Sequence, residues 1–85
     1  MSKILFDGTI VSVEDHVDHK TVFVSGVDQG WPVKRDKHNV KTTGKAPELV
    51  ALLRSGATFQ IVNGDQGLEM LIDGKLISVI RPSGN

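Results

Sequence analysis

Two neighbouring stretches decide the fold class: Thr58-Phe59-Gln60-Ile61-Val62-Asn63-Gly64, and Leu68-Glu69-Met70-Leu71-Ile72-Asp73-Gly74-Lys75-Leu76-Ile77-Ser78-Val79-Ile80. Three short runs rich in apolar and β-branched residues are separated by Asn-Gly and Asp-Gly. Tight type I′ turns need positive φ at both central residues, and these dipeptides meet that need at the least steric cost. The spacing predicts a β-meander with strands over 58–62, 68–72 and 75–80 and a tight hairpin at Asp73-Gly74. The last strand carries four apolar residues among the five from Leu76 to Ile80. That is more than a half-exposed strand requires. It reads either as a covered strand or as an edge that pairs with a second copy, and a homodimer would help so small a core.

Just upstream, residues 46–55 predict the one helix. Pro47 suits a first turn, Glu48 its positive end and Arg54 its negative end. Leu49, Val50, Leu52 and Leu53 form an apolar stripe at helical spacing, and Gly56 is a natural stop. Further back, residues 4–14 are rich in β-branched residues. Alternating apolar positions fall at Ile4 and Phe6, then at Val11 and Val13. The two sets have opposite parity with Gly8 between them, which predicts a bulge or sharp bend at that glycine. Residues 15–20 read as a polar hairpin connection. Thr21-Val22-Phe23-Val24-Ser25 alternates cleanly, with the two valines on one face and Phe23 on the more polar one. Residues 26–30 read as a turn. Residues 31–35 read as a third strand limited to an edge or a start by Pro32. Residues 36–45, apolar only at Val40, read as a long loop. Residues 81–85 read as a short polar tail.

This order of strands, one helix and strands gives a mainly β chain: a small barrel of five to six strands with the helix between the third and fourth. The architecture resembles the OB-fold. The Gly8 kink in a long first strand and the junction Ser55-Gly56-Ala57-Thr58-Phe59 carry the resemblance. The chain departs from that pattern in an extra C-terminal strand and in having few aromatics. An SH3-like barrel and a small α+β sheet are the alternatives.

The 85 residues fit one domain, 1–85, with a small core. There is no Cys, which excludes disulfides and thiolate metal sites and suits a reducing cytoplasm. The opening residues hold too short an apolar run for a signal peptide, and no apolar stretch approaches the ~20 residues that span a bilayer. The chain is expected to be cytoplasmic, with no membrane partner.

Net charge is zero, from 10 basic and 10 acidic residues, but the charges are segregated. Residues 1–30 hold Lys3 and Lys20 against Asp7, Glu14, Asp15, Asp18 and Asp28. Residues 31–45 hold Lys34, Arg35, Lys37, Lys41 and Lys45 against Asp36 alone, so half of the positive charge lies in fifteen residues. Such clustering points to a polyanionic partner. The only Trp, Trp31, opens this stretch. A single-strand binder combines phosphate-binding cations with flat side chains on which bases stack. The expected nucleic-acid-binding residues are therefore Phe23, Trp31, Lys34, Arg35, Lys37, His38, Lys41 and Lys45. In an OB barrel the second and third strands form the usual binding face. The bland counterpart is a solvated loop with Trp31 filling the core. Thr43-Gly44-Lys45 is no P-loop, lacking the upstream glycine and the following Ser or Thr.

Asp15-His16-Val17-Asp18-His19 holds residue types that ligate zinc or nickel, but a hairpin tip gives them no supporting residues, so a polar turn is the better reading. No Ser lies in a Gly-x-Ser-x-Gly turn, and carboxylate pairs occur only at turns or in the acidic N-terminal third. The expectation is a non-enzymatic module without cofactor or metal, binding single-stranded DNA or RNA. The rival is a protein-interaction or inhibitor module, of the kind a phage or plasmid accessory protein would be.

Overall fold

Strand β1 (Lys3–Asp15) organises the molecule, because it pairs antiparallel with both β2 (His19–Asp28) and β4 (Thr58–Gly64). The structure, a computed structural model, describes residues 3–28, 36–65 and 67–80. With β3 (Lys37–Lys41), β5 (Gly67–Ile72) and β6 (Lys75–Ile80) the strands form one sheet in the order β3-β2-β1-β4-β5-β6, every pair antiparallel. The sheet curls into a half-barrel. A single helical turn, α1 (Pro47–Val50), lies between β3 and β4. The protein is mainly β and consistent with a small OB-like barrel.

The parity switch in β1 is real, but it sits at Val11 and not at Gly8. Phe6 and Ile10 are both buried, and the register with β2 slips between Ile10 and Ser12. Val11 is the extra residue, exposed, with its carbonyl accepting from Ser55 Oγ at 3.1 Å. The insertion lets Val13 pack against the core from an odd-numbered position. A second slip, between Ile4 and Phe6, marks the pairing with β4. Gly8 has a different task. It pairs with Gly26, and a Cβ on either would strike the other's Cα and a backbone carbonyl oxygen, that of Ser25 or Asp7. Two facing glycines let the bent strands approach this closely. Gly26 thus belongs to β2, not to a turn. The β1–β2 connection is also shorter than residues 15–20, since Asp15 already pairs with Lys20.

The third strand lies inside the segment expected to be a loop. In β3 the residues Lys37, Asn39 and Lys41 are exposed, while His38 and Val40 are buried. The His38 ring lies 5.0 Å from that of Phe59, beside the core. The strand expected at 31–35 falls outside the described residues.

The helix is one turn, not ten residues. Past Val50 the chain continues in turns to Gly56, whose φ of +92° ends the segment. The end of the segment is tied to β1: Gly56 N–H donates to Ile10 O and Ile10 N–H to Ala57 O, at 2.8 and 2.9 Å. Leu53 and Ala57 are buried, with Leu49 and Leu52 packed against the core. The Asp73-Gly74 hairpin is as expected, with φ of 52° and 79°. The Asp73 carboxylate accepts from Thr58 N–H (3.0 Å) and from Arg54 Nη2 (2.7 Å), tying this turn to the start of β4. At the other hairpin Gly64 pairs with Gly67, so Asn63-Gly64 ends the strand and the turn follows it. The core gathers Phe6, Ile10, Val22, Val24, Val40, Leu53, Phe59, Ile61, Met70, Ile72 and Ile77. On the edge strand β6, Val79 is only half-buried and Leu76 is exposed.

Candidate polyanion-binding groove

Curling leaves β3 and β6 as the two edges of the sheet, with an open seam between them. A groove of about 410 Å³ lies there, lined by Lys37, His38, Asn39, Val40, Lys41 and Lys45, with Met70 of β5 and Ser78 of β6 opposite. Alternation along β3 explains the lining. Lys37, Asn39 and Lys41 project on the exposed side, and His38 and Val40 close the floor. Thr21 Oγ1 donates to Asn39 Oδ1 at 2.8 Å and anchors the middle of the strand to β2. Lys45, on the loop after β3, crosses the seam and donates from Nζ to Ile77 O at 2.8 Å. A lysine thereby occupies a backbone acceptor of the β6 edge.

Four of the expected site residues come together here: Lys37, His38, Lys41 and Lys45. His38 joins as a buried floor residue, not as an exposed contact. Phe23 is half-buried on β2, opposite Lys37 in the register, and borders the groove without lining it. Trp31, Lys34 and Arg35 lie outside the described residues. Asn39, Val40, Met70 and Ser78 had not been expected. The alternation in Lys37-His38-Asn39-Val40-Lys41 was the available signal, hidden because His38 counts as polar.

The groove's lysines are not held in ion pairs. Among the described residues the close pairs of basic and acidic groups are His16–Glu14, His19–Asp18, Lys20–Asp15 and Arg54–Asp73, the two histidine pairs being ionic only with a protonated ring, and none involves Lys37, Lys41 or Lys45. Three of the four lie at the β1–β2 turn. There His19 Nδ1 donates to Asp18 Oδ1 at 2.7 Å, and this hydrogen bond holds the Asp18 carboxyl below its ordinary value, with a smaller pull from Lys41.

Lys37 and Lys41 stand four residues apart on one side of an extended strand, a separation of about 13 Å. That spacing is too wide for a single small anion and suits two non-adjacent phosphates of an extended chain. Among the described residues no group of three or more His, Cys, Asp or Glu is placed to hold a metal ion. None of their helices is long and apolar enough to cross a membrane. No protein-family model, curated protein or solved structure matches this chain.

Proposed function

We propose that the protein is a non-enzymatic, cytoplasmic module that binds single-stranded nucleic acid along the β3–β6 seam. The convergence of Lys37, Lys41 and Lys45 on one groove carries this reading. The lysines contact phosphates, and Phe23, beside Lys37, offers a ring to a base. Trp31, Lys34 and Arg35 extend the same basic stretch of sequence and are proposed to extend the path. Single strands are favoured over duplex because contacts at a strand edge follow a flexible backbone and need no fixed groove geometry.

The test is a titration with a mixed-sequence single-stranded oligonucleotide, followed by Trp31 emission and by anisotropy of a labelled strand. Each phosphate contact with a single strand adds about 0.7 to the salt slope. Three lysines predict a roughly 20-fold loss of affinity between 50 and 200 mM salt, and five cations a loss of roughly 130-fold. Binding that ignores salt, or no binding to DNA or RNA, overturns the proposal.

One observation favours a second reading. Two sheet edges facing across an open seam are where an extended segment of a partner protein can add as a strand. A complex with a protein partner, formed without any nucleic-acid binding, would support it.

A further inference from the structure

The end of the groove beyond Lys41 abuts the β1–β2 turn. His19 is the cross-strand partner of Lys41, which puts both side chains on one face of the sheet. His16 stacks on His19, with ring centres 4.5 Å apart and planes inclined by 14°. The turn is held against the loop that carries Lys45: Thr42 N–H donates to Asp18 O at 3.0 Å and Thr43 Oγ1 to the same oxygen at 3.4 Å. The His16 side chain is 43% accessible. The pair is thus an exposed platform continuous with the lysine row. Nearly parallel stacked rings keep their nitrogen lone pairs in separate planes, so they do not converge on one metal ion.

We infer that the stacked His16–His19 pair is a second subsite for the phosphate backbone of the same single strand, one that attracts the strand only when its imidazoles are protonated. The inference rests on the proposed nucleic-acid reading. The charged groups facing the pair set the sign. Glu14 lies against His16 at 3.5 Å, Asp18 against His19 at 2.7 Å, and Asp15 pairs with Lys20 at 3.3 Å. Lys41 faces the pair from β3. With neutral rings, three carboxylates outnumber Lys20 and Lys41, and this end of the path repels phosphate. Imidazoles change charge between pH 5 and 8, so acidification reverses the balance. A phosphate reaching past Lys41 then meets protonated His19 and, stacked on it, His16. Bound phosphate in turn favours the protonated rings, so strand binding takes up protons.

The experiment measures anisotropy of a labelled single strand of about 16 nucleotides, the upper end of one barrel's site size, at pH 8 and pH 6 and fixed ionic strength. The full chain and its His16→Gln/His19→Gln variant are compared. In the unaltered chain affinity rises on the order of five-fold for each proton bound, the scale of one contact ion pair in water. Its salt slope steepens by about 0.7 per added charge. The variant keeps its pH 8 affinity and loses most of the pH response. An equal pH response in both proteins assigns it to other groups, His38 among them, and overturns the inference. A pH-independent affinity and salt slope in the unaltered chain overturn it without any variant. No binding at either pH overturns the nucleic-acid reading itself, a result distinct from the other two.

Discussion

The C-terminal meander and the β3 segment are both strands of one sheet, yet they are built on opposite terms. Strands β4 to β6 obey local rules: apolar runs, a turn dipeptide with the required φ, and burial of Phe59, Ile61, Met70, Ile72 and Ile77. Strand β3 has three exposed polar residues, a buried histidine and one valine. It pairs only with β2, at an edge of the sheet. The meander is where the molecule spends its hydrophobic residues. The edge strand is held by its neighbour and leaves its lysines to the seam. Stability and binding should therefore separate between the two regions.

Phe59→Ala tests the meander hardest. Phe59 is fully buried, with the Phe6 ring edge-on at 6.0 Å and His38 at 5.0 Å. Truncating a buried Phe costs about 3–5 kcal/mol, a large part of the stability of a domain this size, and urea unfolding should show it. Loss of β3 together with the rest would follow, since Phe59 is what His38 packs on.

Gly26→Val should cost less, about 1–3 kcal/mol, because the strands must part to admit a side chain against Asp7 O and the Gly8 Cα. The midpoint of denaturation reports it. A neutral outcome would mean that the two glycines are not what lets β1 and β2 bend together.

Lys37→Ala/Lys41→Ala should leave stability within about 0.5 kcal/mol, as surface changes usually do. The same variant should lower the salt slope of single-strand binding by about 1.4, from two lost contacts. Destabilisation with an unchanged slope would reverse the division between the two regions.

The smallest expected effect is at the β1–β2 turn. Asp18 is held below its ordinary value of 3.8 by the hydrogen bond from His19. A depressed carboxyl favours the folded state above that ordinary value, and the benefit fades as pH falls through the lowered one. His19→Val should raise the Asp18 titration, followed by NMR, toward 3.8 and remove that acid-side dependence.

The meander was legible because its determinants are local. Asp73-Gly74 needs only its own φ angles, and strands joined by short turns carry their pairing in the alternation of their own residues. The Val11 bulge was half legible. The parity change in β1 announced it, but its position depends on where β2 and Ser55 meet the strand. The candidate site was legible as composition, a run of basic residues, and not as geometry. Lys37 and Lys41 belong to a strand whose pattern is visible only if His38 is counted as inward-facing, and burial on Phe59 decides that. Lys45 and Ile77 meet because the sheet curls, which no stretch of sequence states.

By itself, then, the sequence determined a small, Cys-free, mainly β chain with its positive charge gathered before a short helix. Only the tertiary structure decided that the helix stops after one turn and that Gly56 and Ala57 bond to Ile10 of β1. It also decided that five residues of a polar decapeptide become an edge strand and that its lysines face a seam. Those outcomes depend on contacts between residues 14 to 47 positions apart, and alternation, propensity and turn chemistry act over only a few.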